Sequence, residues 1–363
     1  MAMPVTTPSP AARAAGFCQR FGLKHPVLLA PMAGACPPAL SIAVMRAGGL
    51  GACGALLMAP AAIVEWADAV RAGTAGPDAG PFQINLWVPD PAPARDAAHE
   101  QALCDFLAGY GPAVTPAAGD ARPPDFAAQC EALLAARAPI VSSVMGLFPP
   151  AFVQRLKAAG VAWWANVSTV AEALAAEAAG ADVVVAQGME AGGHRGCFDA
   201  RLAEAQQVGL FALLPAVADA VRIPVVATGG IADARGVAAA FALGASAVQV
   251  GTGLLRTPEA ALPAAWADAL ARTAPEDARI TRAFSGRAGR GIATGFVQAA
   301  AAPGAPPPAP YPVQRGLTAA MRTQAVADGD VQRMQAWAGQ SARLAPALPA
   351  ADVIARLRAG VPG

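Results

Sequence analysis

Charged side chains are scarce in this chain, where they make up only 14% of 363 residues. The formal net charge is +1, so the chain lacks the basic field that nucleic-acid binding requires and has no comparable acidic field. Hydrophobic residues, in contrast, reach 55% of the composition, which permits a large core and argues against disorder. We therefore expect a core-rich globular protein with no nucleic-acid partner.

Paired cysteine motifs are absent. The six cysteines include no Cys-x-x-Cys pair and no metal-like spacing, so we expect reduced thiols, a cytoplasmic location and no metal site. The chain also contains neither the Gly-x-Ser-x-Gly motif of serine hydrolases nor the His-Glu-x-x-His motif of zinc peptidases. These absences exclude the hydrolase classes whose catalytic groups depend on those motifs.

Long apolar runs without proline or glycine are missing too. Residues 26–45, 47–64 and 236–255 are uncharged and reach about the 20 residues that a membrane-spanning helix needs. Prolines or glycines interrupt each stretch, which predicts buried strands and helices and no membrane partner. Residues 1–15 are rich in Pro, Thr and Ala without the apolar core of a signal peptide, so we expect a frayed leader there.

Eight short apolar runs, most of them followed by a helical pattern, organise the first two thirds of the chain. The predicted strands are residues 27–32, 50–55, 82–86, 139–144, 161–167, 182–186, 224–228 and 246–250. This count is typical of an α/β fold of the (β/α)₈ TIM-type barrel class. The alternative, an open doubly wound sheet, usually carries a Gly-x-Gly-x-x-Gly turn after its first strand, and that turn is absent here.

The pattern changes after the eighth predicted strand. Residues 262–273 and 318–338 are predicted helices, residues 299–312 are a Pro/Ala stretch that cannot form a regular helix, and residues 351–359 form a short amphipathic helix. We therefore expect three parts. They are a barrel with a frayed N-terminus over residues 1–261, a smaller, mainly helical lid over residues 262–339, and a C-terminal segment over residues 340–363 that packs on the barrel.

Two glycine-containing turns follow the last two predicted strands, Thr228-Gly229-Gly230 and Val250-Gly251-Thr252-Gly253. In a barrel these loops are neighbours at the C-terminal face, where glycines let a phosphate approach free backbone N–H groups and helix N-termini. Glycines also end strands in proteins that bind nothing, but two such turns on adjacent loops favour a phosphate site.

Three amide side chains mark ends of predicted strands at the same face, namely Asn85, Gln187 and Gln249. Amides supply both donors and acceptors, which suits the edge of a flat heteroaromatic ring such as isoalloxazine. Each amide could instead satisfy local backbone groups. Together with a monophosphate site, the three amides indicate FMN as the cofactor.

His194 is the strongest acid/base candidate, because it follows the sixth predicted strand in a loop where Gly192 and Gly193 leave space for a ring. His25 and His99 are interpreted as structural or exposed. Glu190 is interpreted as a residue that braces this loop or as a part of the site. Cys197 has no partner base other than His194, so a nucleophilic cysteine is not favoured.

These motifs resemble those of the nitronate monooxygenases, formerly called 2-nitropropane dioxygenases. The resemblance rests on Ala30-Pro31-Met32-Ala33-Gly34, Gly48-Gly49-Leu50-Gly51, Asn85-Leu86 and residues 187–196, 227–231 and 249–252. It implies an FMN-dependent barrel enzyme that oxidises alkyl nitronates with O₂ to a carbonyl compound and nitrite. Propionate 3-nitronate and nitroalkanes are the substrates that it suggests.

The resemblance also implies roles for single residues. His194 would bind the nitronate or deprotonate a nitroalkane, and Ala30 and Met32 would lie against the flavin. The remaining implied FMN-binding positions are Asn85, Gln187, Gly192, Gly193, Gly229, Gly230, Gln249, Val250, Gly251 and Thr252. The chain departs from the family pattern at Ser143 and Met145, where many members have aromatic residues, and at Ala288 and Gly289.

Three rival functions remain open. The first is an FMN-dependent NAD(P)H reductase of quinones or enoyl thioesters on the same barrel. Arg195 argues against it, since quinone-reducing relatives tend to have proline after the histidine. The second is a phosphate-binding lyase or synthase without redox chemistry, and the third is a non-catalytic binding protein. A homodimer is compatible with all of these.

Overall fold

The computed structural model describes residues 8–76 and 80–363. Its strands, in chain order, are β1 Val27–Leu29, β2 Gly51–Gly54, β3 Phe82–Trp87, β4 Ile140–Val144, β5 Ala162–Val167, β6 Val183–Gln187, β7 Gly193–His194, β8 Val225–Thr228, β9 Ala247–Val250, β10 Ala278–Thr281 and β11 Gly289–Ile292. Eight of them form one parallel sheet in the order β1-β9-β8-β6-β5-β4-β3-β2. The sheet closes where the Leu29 N–H donates to the Leu50 carbonyl at 2.9 Å, which confirms the predicted (β/α)₈ barrel.

The interior of the barrel is layered. The layer away from the carboxyl ends of the strands is apolar and includes Leu28, Trp164 and Val226. Alternate residues of each barrel strand point inward, so these side chains meet in the interior. Helix α1, Pro10–Phe21, closes this end, and its Phe17 ring lies 5.7 Å from the Trp164 ring. The expected frayed leader is therefore wrong for residues 10–15, which belong to α1. Residues 1–7 lie outside the described part of the chain.

Helices surround the barrel as the sequence predicts, and several begin with proline in the first turn, as in α2 and α3. Their bounds are α2 Pro38–Arg46, α3 Pro60–Gly73, α4 Ala97–Leu107, α5 Phe126–Ala135, α6 Pro150–Ala158, α7 Val170–Ala178, α8 Leu210–Ala220 and α9 Ala234–Ala242. No helix in the described ranges is long and apolar enough to cross a membrane. The three uncharged stretches instead supply buried strands and helices such as β1, β2 and α9.

The remaining helices follow the last barrel strand. They are α10 Ala264–Arg272, α11 Gly295–Ala300, α12 Val313–Leu317, α13 Ala319–Ala327 and α14 Ala350–Arg358. Helices α11, α12 and α13 share a core with α4 that includes Phe284, Phe296 and Met321. Helix α14 packs against α2 and α9 on the outside of the barrel.

The predicted helix over residues 318–338 is wrong beyond Ala327. Helix α13 ends before Gly329, whose φ of 67° is a left-handed conformation that glycine adopts without strain. The following residues run beside β11, where the Ile292 N–H donates to the Ala336 carbonyl at 2.9 Å. Pairing with this strand satisfies backbone groups that a longer helix would have bonded internally.

The loop over residues 188–196 carries His194, and we call it the histidine loop. A small antiparallel sheet joins it to the segment after the barrel. Strand β11 pairs with β10 on one side and with β7 on the other, where Gly289 lies opposite His194. Gly289 also lies under Trp337, since a Cβ at this position would come within 2.9 Å of the indole ring. Residue 289, one of the departures from the family pattern, therefore needs to be small here.

Candidate active site

A cavity of about 670 Å³ opens at the carboxyl ends of the barrel strands. This volume lies within the range of roughly 300–1,000 Å³ that is typical of cofactor and ligand pockets. Of the thirteen residues predicted for the site, all except Val250 line the cavity. Val250 is buried in the barrel wall, so its side chain does not reach the cavity.

The two glycine turns lie together in this cavity. Gly229 and Gly230 have φ angles of 111° and 71°, which strain any residue with a Cβ. The N–H groups of Gly229, Gly230 and Gly251 have no acceptor among the described residues. The N-terminus of α9 contributes less than the sequence suggested, because the Asp233 carboxylate already accepts its first N–H groups. The free donors therefore come from the loops themselves.

Two of the predicted amides, Asn85 and Gln249, belong to a network across the barrel mouth. Gln83 Nε2 donates to Gln249 Oε1 at 2.8 Å, and the Ser142 hydroxyl donates to Gln83 Oε1 at 2.9 Å. Asn85 Nδ2 donates to Ser142 Oγ at 3.0 Å. These bonds leave Asn85 Oδ1 and Gln249 Nε2 without partners among the described residues, so one acceptor and one donor remain for a ligand.

Gln187 is held by the histidine loop. Its Nε2 donates to the His194 carbonyl at 3.2 Å, and its Oε1 accepts the Gly196 N–H at 2.7 Å. One amide hydrogen is left for a ligand. Glu190 accepts the Leu210 N–H at the start of α8, which supports the interpretation that Glu190 braces the loop.

Arg195 is buried behind the cavity and does not line it. Its guanidinium donates to the carbonyls of Gln187, Ser168 and Gln206 at 2.5 to 3.2 Å. Its backbone N–H donates to the Ala288 carbonyl. The Arg195 side chain therefore joins the histidine loop to neighbouring loops. A proline at this position could not form the bond to the Ala288 carbonyl, because proline has no backbone N–H.

His194 projects into the cavity between two tryptophans. The Trp87 and Trp337 rings lie 4.9 Å and 5.1 Å from the imidazole, both in edge-to-face geometry. Its Nε2 lies 2.8 Å from Ser285 Oγ. Because the Ser285 hydroxyl donates to the Arg287 carbonyl, its oxygen accepts a hydrogen bond from Nε2–H. The network thus assigns the proton to Nε2 and leaves the Nδ1 lone pair unprotonated.

The surroundings keep His194 neutral. Burial, followed by the nearby charges of Arg287 and Arg315, lowers its pKa to about 3. At neutral pH the imidazole therefore carries an available lone pair. This is the state that a general base requires.

Two arginines that line the same cavity, Arg315 and Arg322, have no carboxylate partner within residues 8–76 and 80–363. Arg322 donates to Thr318 Oγ1, to Gln335 Oε1 and to the Arg315 carbonyl. The Arg315 guanidinium has no hydrogen-bond acceptor among the described residues. Burial lowers the pKa of Arg315, and burial followed by the charge of Arg315 lowers that of Arg322 to about 10. A cavity wall with two uncompensated cations attracts anions.

The other candidates lie elsewhere. His25 is buried against the Ala47 carbonyl, and His99 lies in the first turn of α4. Cys197 is buried outside the cavity, its thiol bonds the Asp199 carbonyl, and burial raises its pKa. The described ranges contain no group of three or more side chains that could hold a metal ion.

Several cavity residues escaped the sequence analysis. They are Trp87, Asn166, Arg315, Arg322 and Trp337 on the wall and Ser285 behind His194. Asn166 is the last residue but one of β5 and lies opposite Val185 of β6. Its Nδ2 is buried without a partner among the described residues. Trp87 at the end of β3 and Asn166 near the end of β5 could have been predicted as site residues, because the site lies at the ends of the strands. Ser285 and Arg315 lie outside the predicted elements. Arg322 and Trp337 lie in the predicted helix over residues 318–338, but nothing in the sequence marked them as facing the cavity.

Known proteins resemble the chain over nearly its whole length. The nitronate monooxygenase family model matches residues 17–360. A nitronate monooxygenase of Paraburkholderia phytofirmans is 39% identical over 343 residues, which cover 93% of this chain and 92% of the relative. A nitroalkane oxidase structure from Streptomyces ansochromogenes is 36% identical, with a TM-score of 0.84 over 95% of this chain and 97% of the other. The FabK structure from Thermotoga maritima is 28% identical, with a TM-score of 0.72 over 94% of each chain.

Proposed function

Because this chain belongs to the nitronate monooxygenase family of flavin-dependent enzymes, we propose that it oxidises alkyl nitronates with O₂ and bound FMN. The products are a carbonyl compound and nitrite. The observation that carries the proposal is the neutral imidazole of His194, which projects into a cavity that Arg315 and Arg322 also line. A base and an anion-attracting wall are the groups that a nitronate or its parent nitroalkane requires.

The residues of the cavity fit FMN. The free N–H groups of Gly229, Gly230 and Gly251 form a concave set of donors that suits a phosphate. A side chain at Gly192 would meet the Gly339 nitrogen at 2.5 Å, so only glycine lets the loop pack against this part of the cavity wall. Asn85, Gln249 and the remaining amide hydrogen of Gln187 would face the polar edge of the flavin. When bound, FMN accepts electrons from the substrate and delivers them to O₂.

His194 has two tasks in this proposal. With a neutral nitroalkane, the Nδ1 lone pair removes the proton from the carbon that bears the nitro group. With a preformed nitronate that step is already complete, and the neutral ring orients the anion. Ser285 holds Nε2–H, so the ring presents the same nitrogen to the cavity in both cases.

The cavity wall favours binding of the nitronate anion. Arg315 and Arg322 attract the negative charge of the nitronate, while the rings of Trp87 and Trp337 exclude water beside His194. Less water strengthens each electrostatic contact inside the cavity. The imidazolium formed by deprotonation of a nitroalkane would lie near Arg287 and Arg315, which opposes that step. We therefore expect higher turnover with preformed nitronates than with neutral nitroalkanes.

The decisive test is oxygen consumption by the purified FMN-loaded protein with preformed ethyl nitronate and with propionate 3-nitronate, with nitrite measured in the same samples. We expect nitrite formation with O₂ uptake and no dependence on NADH. Protein that is isolated without FMN and cannot be reconstituted would instead support a barrel enzyme without redox chemistry.

A second candidate is the FMN-dependent NAD(P)H reductase of quinones or enoyl thioesters, which would use the same cavity. Anaerobic mixing separates the two. Bleaching of the flavin by NADH or NADPH, but not by a nitronate, would contradict nitronate oxidation and support the reductase function.

A further inference from the structure

Apolar side chains from three segments surround the mouth of the cavity. We call them the apolar rim, and they are Leu57, Leu262, Pro263, Trp266 and Val326. Leu57 and Val326 are 44% and 51% exposed, so they mark the side open to solvent. Exposed large hydrophobic groups that border a binding cavity commonly contribute to ligand binding.

The apolar rim is continuous with the site of His194. Trp266 Nε1 donates to the Trp337 carbonyl at 3.2 Å, and Trp337 packs against His194. Helix α13 carries Arg322 and Val326 on one face, one turn apart. Arg322 is part-buried, whereas Val326 is exposed. The cavity is therefore cationic near His194 and apolar near its mouth.

This polarity matches an anion with an apolar tail. We propose that the preferred substrates are nitronates with an extended alkyl chain of about four carbons or more, with the nitronate at His194 and the chain along the apolar rim. The inference rests on the proposed function, since it assumes that the anionic end is the reacting nitronate. It disfavours propionate 3-nitronate, because a distal carboxylate held against the apolar side chains of the rim would lose hydration.

The first experiment compares preformed nitronates of nitroethane, 1-nitrobutane and 1-nitrohexane with propionate 3-nitronate on the FMN-loaded protein. Burying a methylene is worth up to about fourfold in affinity, and less at a partly exposed rim. We expect kcat/KM to rise about two- to threefold per added methylene, mainly through KM. Equal values along the series, or a higher value for propionate 3-nitronate than for the six-carbon nitronate, would overturn the proposal.

Variants test whether the rim causes the trend. Leu57→Ser and Val326→Thr should flatten the dependence of kcat/KM on chain length. Leu174→Ser is the matched control, because Leu174 is 46% exposed and lies outside the cavity. A trend that survives in both rim variants would contradict the assignment to the rim.

Binding of unreactive carboxylates separates this inference from the proposed function. Propionate and hexanoate mimic the charge and shape of nitronates, and their dissociation constants can be measured by quenching of tryptophan fluorescence. Tighter hexanoate binding that is lost in Leu57→Ser supports the rim even if no nitronate is oxidised. Nitronate oxidation together with equal binding of the two acids would refute the rim and leave the proposed function intact.

Discussion

Ser285 Oγ lies 2.8 Å from His194 Nε2, although the two residues are 91 positions apart in the chain. Ser285 is fully buried and also bonds the backbone at Arg287. The contact thus ties the acid/base candidate of the barrel to the segment after the barrel. It determines which imidazole nitrogen is free.

We predict that Ser285→Ala lowers turnover about 10- to 100-fold while FMN remains bound, because Nε2–H loses its acceptor and the ring loses its preferred tautomer. Steady-state kinetics and the flavin content per chain measure the two effects. Ser143→Ala is the matched control, since Ser143 is buried, bonds the Trp163 ring nitrogen and lies outside the cavity. Equal losses in both variants would indicate a general packing effect.

His194→Asn should keep FMN and lose turnover of neutral nitroalkanes by about 10²- to 10⁴-fold, the usual contribution of a general base. Preformed nitronates should lose less, since they need no deprotonation. Oxygen uptake with nitroethane and with its nitronate gives the comparison. Wild-type rates with both substrates would rule out a catalytic role for His194.

The protonation of His194 gives a prediction about pH. Because burial and the charges of Arg287 and Arg315 lower its pKa to about 3, the ring should stay neutral from pH 8 down to pH 5. In Arg315→Gln one positive neighbour is gone, so the pKa should rise toward its ordinary value, whereas Arg315→Lys should keep it low. Nitrogen NMR of labelled histidine follows this titration, with His194→Asn to assign the signal. An imidazole that titrates near pH 6.5 in the wild-type protein would contradict the proposed electrostatics.

Gly229→Ala should weaken FMN binding about tenfold or more. Alanine is strained at a φ of 111°, and its Cβ would lie 3.1 Å from the Ala191 nitrogen and the Gly188 oxygen. The neighbouring loops must therefore shift around the phosphate donors. Titration of the apoprotein with FMN measures the change. Gly236→Ala in α9 is the control, since its nearest contacts are ordinary at 3.5 Å, and it should bind FMN like the wild type.

Arg195→Met should lower the free energy of unfolding by about 3 kcal/mol, because it leaves buried carbonyls without a donor. Denaturant titration of the FMN-free protein measures this loss. The ratio of rates with nitronate and NADH should not change, since Arg195 does not line the cavity. A change in that ratio without a loss of stability would show that Arg195 selects the reaction directly.

Most of the barrel could be predicted from the chain alone. Strands such as β6 and β8 are short runs of buried, mostly β-branched residues, and their glycine turns reveal where the loops begin. The same local pattern brought Gly229, Gly251 and His194 to one face, because parallel strands of a barrel all end at the same side. Helix α1 was missed, since its first residues resemble a disordered leader in composition.

By itself, then, the sequence determined the eight strands and the loops that carry Gln187, His194 and the free N–H groups, since periodic burial is a local property. Only the tertiary structure decided how His194 is held. Ser285 and Trp337 reach it through the pairing of β7 with β11 and through the extended residues after α13. Such contacts depend on long-range packing, which leaves no periodic trace in the chain. The same packing brings Arg315 to the cavity and directs Arg195 away from it.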